Sequence, residues 1–141
     1  MTLVLVVDDE PTIRELIAEV LREGQFEVET AANGAEALDR MRQRLPSAIV
    51  LDLMMPQLDA NGFVELKRLN PRFDAVPIVL VTAAFGAPAD AERLGAQACL
   101  TKPFELDELV KVVAQLVGDP TPRVHQVVNA VGLPRSIAAE P

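Results

Sequence analysis

Residues Ala48-Ile-Val-Leu-Asp52-Leu-Met-Met-Pro56 decide the fold. Four apolar residues run straight into a carboxylate, and a proline follows four positions later. A buried strand that delivers an acid at its C-terminal end is the simplest reading. In open parallel sheets, ligands gather just beyond the carboxyl ends of the strands. Other strand-like runs deliver reactive groups to the same edge: Met1 to Val7 leads into Asp8-Asp9, Ile78 to Val81 into Thr82, and Cys99 to Thr101 into Lys102.

The rest of the chain alternates around these runs. Leu3-Val-Leu-Val-Val7 is continuously apolar and β-branched, which suits a strand covered on both faces. Pro11 opens a helix through Ile13, Leu16, Ile17, Val20 and Leu21, and Gly24 closes it. Phe26 to Ala31 alternates apolar and polar residues, as an edge strand does. Asn33 caps a second helix with Ala37, Leu38 and Met41 inward, stopped by Pro46. Turn formers from Pro56 to Gly62 precede a short helix through Phe63, Leu66 and Leu69. Pro77 opens the fourth strand, Pro88 a weak alanine-rich helix ended by Gly95, and Gln97 to Thr101 the fifth strand. Leu106, Leu109, Val110, Val113, Leu116 and Val117 form the strongest amphipathic helix, ended by Gly118. Such alternation predicts an α/β sheet with helices on both faces and right-handed crossovers.

The 141 residues amount to one domain, half of them apolar. The net charge of −8 argues against direct nucleic-acid binding. The single Cys99 excludes an internal disulfide. No run approaches the ~18 apolar residues of a membrane span, and the N-terminus lacks the pattern of a signal peptide. A cytoplasmic protein is the expectation. After Asp119-Pro-Thr-Pro122, a stiff linker, Val124, Val127, Val128 and Val131 predict a short helix over about 122–131, docked on the domain or on another copy, followed by a tail to Pro141.

Asp8, Asp9 and Asp52 would place three carboxylates together, and their repulsion calls for protonation or a hard cation. Oxygen ligands with positions left for water and phosphate suit Mg²⁺. The plainer alternative is that Asp8-Asp9 caps the first helix. Lys102 could stabilise charge on a phosphoryl group and Thr82 could donate its hydroxyl. An ionised nucleophile, a Mg²⁺ site, a hydroxyl and an ammonium are the parts of phosphoryl transfer, with Asp52 the nucleophile.

Asp8-Asp9-Glu10-Pro11, Asp52-Leu-Met-Met-Pro56, Thr82-Ala83 and Lys102-Pro103-Phe104, in this order and spacing, resemble the receiver domain of bacterial two-component response regulators over roughly residues 2–118. The resemblance implies a flavodoxin-like, doubly wound five-stranded parallel sheet of order 2-1-3-4-5, within a receiver domain over 1–118 and a linker, helix and tail over 119–141. It implies that Asp52 accepts a phosphoryl group from a histidine kinase, a phosphotransfer protein or a small phosphodonor. Asp9, Asp52 and the Met54 carbonyl would hold Mg²⁺, with Asp8 acting largely through water. Thr82, Lys102 and the Ala83 N–H would contact the phosphoryl oxygens, and a cis peptide would precede Pro103.

Where the family carries a switching aromatic, three residues before the lysine, this chain has Cys99; Phe85 and Phe104 are substitute candidates. Asp59-Ala60-Asn61-Gly62 reads like a two-residue insertion in the loop under the site. His125 is assigned no role. The expectation is a single-domain response regulator, a phosphorelay switch acting on a downstream protein or through homodimerisation, with no turnover beyond its own phosphorylation and dephosphorylation. Two alternatives are a receiver cut from a larger regulator and a phosphatase with an aspartyl nucleophile. The phosphatase needs a second acid two residues after Asp52, where Met54 stands.

Overall fold

A computed structural model of the protein describes residues 2–52, 60–82, 87–101, 104–118, 126–128 and 134–136. Five parallel strands form the body of the sheet: β1 (Leu3–Val7), β2 (Glu27–Ala31), β3 (Ala48–Asp52), β4 (Ile78–Thr82) and β5 (Ala98–Thr101). Their spatial order is β2-β1-β3-β4-β5. The helices are α1 (Pro11–Glu23), α2 (Gly34–Gln43), α3 (Ala60–Arg68), α4 (Pro71–Asp74), α5 (Ala87–Leu94) and α6 (Leu106–Gly118).

Strand periodicity sorts the apolar runs onto two faces. Leu5 and Val7, Ile49 and Leu51, Ile78 and Leu80, and Cys99 pack with Met41 of α2, Phe63 of α3 and Leu94 of α5. Val4 and Val6, Val50, Val79 and Val81, and Leu100 pack with Ile17 and Leu21 of α1 and Leu109 and Val113 of α6. Both faces are therefore covered, which is why the central strands read as unbroken apolar runs. β2, at the sheet margin, keeps Glu27, Glu29 and Thr30 partly exposed, matching its alternating sequence. Gly24 ends α1 where a Cβ would lie 2.9 Å from Val110 Cγ1, so the close approach of α1 to α6 requires a residue without one.

The structure departs from the sequence reading in four places. A short helix, α4, is capped by Asn70, whose side chain accepts from the Arg72 N–H at 3.0 Å, with Pro71 in its first turn. In α3 the inward residues are Phe63, Val64 and Lys67, while Leu66 is exposed and Leu69, just past the helix end, is 79% exposed. In α1, Leu16 is exposed as well. Finally, no helix occupies the centre of 122–131: Gln126–Val128 is a strand, β6, parallel to β5, and Pro134–Ser136 is a strand, β7, antiparallel to β6. Among the described residues, these two strands extend the expected five-stranded parallel body at its β5 edge, giving the order β2-β1-β3-β4-β5-β6-β7. The physical reason is that the β5 margin offers unpaired main-chain groups that a β-branched Val127-Val128 segment can pair with. An isolated short helix has no such partner. The linker at 119–122 and the tail from 137 lie outside the described residues.

Candidate functional site

Register places the site. Val7 lies opposite Ala31 on one side and Leu51 on the other, Asp52 lies opposite Val81, and Thr82 lies opposite Thr101. The C-terminal ends of β1, β3 and β4 are therefore level, and Asp8, Asp52 and Thr82 share one rim of the sheet. Asp8, Asp52 and Thr82 are buried, while Asp9 is exposed.

One carboxylate oxygen from each of Asp8, Asp9 and Asp52 lies within 4.8 Å of the other two. At an effective dielectric of about 20, each ionised pair at this distance costs roughly 3 kcal/mol or more. The donor set is all oxygen, with two ligands sunk in the protein and the third at the solvent side. That is the chemistry of a hard divalent cation that keeps positions for water and for an incoming anion. The residues present fit Mg²⁺.

The β1–α1 connector explains how the acids are held. The Asp8 N–H donates to the Ala31 carbonyl at 3.1 Å, and Asp8 Oδ1 accepts from the Glu10 N–H at 2.9 Å. The residue capping α1 is Glu10, which accepts from the Thr12 N–H at 3.3 Å. The helix cap thus falls on Glu10 and does not account for Asp8-Asp9. Arg14, in the first turn of α1, donates from Nη1 to the Asp8 carbonyl at 2.9 Å. Sequence reasoning passed over Arg14; its signal was a cation six residues after an acid at a strand end.

Met54, Ala83, Phe85, Lys102, Pro103 and His125 lie outside the described residues. Cys99 is fully buried among the apolar residues beneath α2, α3 and α5, opposite Leu80, so the expected place of an aromatic holds a small packed thiol. Phe104 packs against the α1/α6 side of the core. Asn61 accepts from Arg93 of α5, and Arg68 donates to the Arg93 carbonyl at 3.2 Å, so α3 and α5 are tied near both ends of α3. Lys67 is buried, donates to the Asp74 carbonyl at 3.1 Å, and has its pKa pushed down to about 8, chiefly by desolvation.

The family model of the response regulator receiver domain matches residues 4–114. Response regulator Rre1 of Synechocystis sp. is 40% identical over 116 residues, covering 80% of this chain and 50% of that protein. Hybrid signal transduction histidine kinase D of Dictyostelium discoideum is 38% identical over 117 residues, 82% of this chain but 8% of that protein. Among solved structures, chemotaxis protein CheY4 of Vibrio cholerae aligns with a TM-score of 0.76 at 31% identity, covering 82% of this chain and 98% of that one. The receiver domain of sensor histidine kinase PA1611 from Pseudomonas aeruginosa, with magnesium coordinated in its active-site cleft, aligns with a TM-score of 0.76 at 27% identity, covering 84% and 98%. The chain belongs to the response regulator receiver domain family of two-component signalling, on the flavodoxin-like fold. It spans about half the length of Rre1 and of other response regulators that it matches. Among the described residues, no helix is long and apolar enough to cross a membrane.

Proposed function

We propose that this receiver module, residues 1–118, is a Mg²⁺-dependent phosphorylation switch with Asp52 as the acceptor. The observation that carries the proposal is the convergence of Asp8, Asp9 and Asp52 within 4.8 Å at the sheet's C-terminal rim. Mg²⁺ held by Asp9, Asp52 and the Met54 carbonyl, with Asp8 acting largely through water, would neutralise charge on the phosphoryl oxygens. An Asp52 carboxylate oxygen attacks phosphorus. The bond from phosphorus to the donor's histidine nitrogen, or to the oxygen of a small phosphodonor, breaks, and that atom leaves with its electron pair. Asp52 becomes an acyl phosphate. Lys102 supplies an ammonium for the phosphoryl oxygens and Thr82 a hydroxyl donor. Water attack later returns Asp52 and inorganic phosphate, and the module catalyses only its own phosphorylation and dephosphorylation.

The donor is a histidine kinase or a phosphotransfer protein, and the setting is cytoplasmic. The output is binding of a downstream protein or of a second copy. The net charge of −8 disfavours direct contact between this chain and nucleic acid. With Cys99 packed in the core, position 99 has no ring to swing, and the response to phosphorylation runs through Thr82.

The test is intact-mass measurement after incubation with Mg²⁺ and acetyl phosphate. Wild type gains one phosphoryl group, chelation of Mg²⁺ abolishes the gain, and Asp52→Asn does not gain it. An unchanged wild-type mass, or equal gain by Asp52→Asn, defeats the proposal. Sustained phosphate release from unrelated phosphomonoesters would favour a phosphatase instead.

A further inference from the structure

The acids are brought together by main chain as much as by side chains. Asp8 to Glu10 join β1 to α1, and within that connector Asp8 is tied through its N–H, its side chain and its carbonyl. Its N–H donates to the Ala31 carbonyl, its Oδ1 accepts from the Glu10 N–H, and its carbonyl accepts from Arg14 Nη1 at 2.9 Å. The Asp8 carbonyl and the Asp9 N–H belong to one planar peptide unit, which can turn only about the soft dihedrals on either side. The orientation of that plane decides where the Asp9 side chain projects. Asp9 is the exposed member of the trio, placed where the core does not pack around its side chain.

Arg14 is suited to fix the plane. Side chains on a helix lean toward its N-terminus, so a residue in the first turn of α1 reaches back over the connector. The Arg14 side chain is partly buried and belongs to a helix held on the core by Ile17 and Leu21. A planar guanidinium with fixed donor directions anchors a carbonyl more tightly than an ammonium on a flexible stem. We infer that Arg14 is a positioning residue for the metal site: through the Asp8 carbonyl it holds the Asp8–Asp9 peptide so that Asp9 closes on Asp8 and Asp52.

This inference rests on the Mg²⁺ site proposed above. It competes with a simpler expectation of opposite sign. A guanidinium beside three acids also repels a divalent cation, and if charge were its whole effect, its removal would tighten Mg²⁺ binding. The positioning role predicts the reverse, because releasing the peptide separates Asp9 from its partners.

The experiment is calorimetric titration of Mg²⁺ into wild type, Arg14→Met and Arg14→Lys, with urea unfolding in the absence of Mg²⁺ as a check on the fold. Arg14→Met is expected to bind Mg²⁺ roughly tenfold more weakly, the scale set by loss of one charge-assisted hydrogen bond. Arg14→Lys should fall between the two. The Mg²⁺ concentration that half-saturates phosphorylation should shift in parallel, with the maximal rate largely restored at high Mg²⁺. Equal or tighter binding by Arg14→Met overturns the inference while leaving the metal site standing. Absence of Mg²⁺ binding by folded wild type overturns the metal site, and this inference with it. If Arg14→Met does not fold, Arg14→Lys decides: weakened binding supports the role, and unchanged binding refutes it.

Discussion

Lys67 offers a test of the core that does not depend on phosphorylation. Its side chain is buried, its ammonium donates to the Asp74 carbonyl at 3.1 Å, and its pKa is lowered from 10.5 to about 8. Desolvation is the largest cause, opposed by the Asp74 charge and reinforced by Arg68. Below pH 8 the residue is charged whether the protein is folded or not, so the folded state carries the full cost of a buried cation. Between pH 8 and about 10.5 the unfolded chain keeps a proton that the folded protein has released, so stability rises with pH across that window. At ~1.36 kcal/mol per unit the shift corresponds to about 3 kcal/mol, which solvent screening reduces to about 1–2 kcal/mol. Urea unfolding followed by far-UV circular dichroism at pH 7.5 and pH 10 measures this, with Lys67→Met as reference. The chain suits the assay, because it contains three lysines and no tyrosine. Wild type should gain about 1–2 kcal/mol relative to Lys67→Met over the interval. A difference that stays constant, or that moves against wild type, would refute the burial argument.

Three further outcomes follow from single contacts. The Asn33 side chain accepts from the Glu36 N–H at 2.8 Å at the start of α2, so Asn33→Ala should cost about 1 kcal/mol in urea unfolding. Gly95 sits at φ +70° and a Cβ there would lie 3.3 Å from Arg68 Nη2, so Gly95→Ala should cost about 1–2 kcal/mol by the same assay. Thr82→Ala removes a buried hydroxyl at the end of β4 and should leave calorimetric Mg²⁺ affinity near wild type. It should also shrink the hydrogen-exchange difference that phosphorylation produces in α5.

The body of the fold was legible because its strands are covered on both faces. Leu3 to Val7, Ala48 to Leu51 and Ile78 to Val81 leave no polar position to disguise them, and each ends in the residue that marks the rim. The acid trio was legible for the same reason, since strand ends fix where Asp8 and Asp52 must emerge. What stayed hidden depended on phase or on distant pairing. In α3 the apolar Leu66 and Leu69 suggested one face, but the helix turns Lys67 inward, where its ammonium meets a carbonyl of α4. The signal for α4 is present in the sequence, with Asn70 as cap and Pro71 in the first turn, but four residues carry no periodicity to support it. Beyond Gly118 the valine spacing fits a helix as well as a strand, and only the open margin of β5 decides between them. Arg14 left only the faint signal of its spacing from Asp8, because its partner is a main-chain carbonyl and not a charged side chain.

If the acid at the end of β3 is the acceptor, served by the other two, the phosphoryl group must sit on Asp52. Borohydride reduction of the phosphorylated protein converts an acyl phosphate to an alcohol, marking the modified residue as homoserine for peptide mass mapping. Homoserine is expected at position 52 alone, formed only when Mg²⁺ accompanied the phosphodonor. Homoserine at Asp8 or Asp9, or at Asp52 irrespective of Mg²⁺, would contradict it.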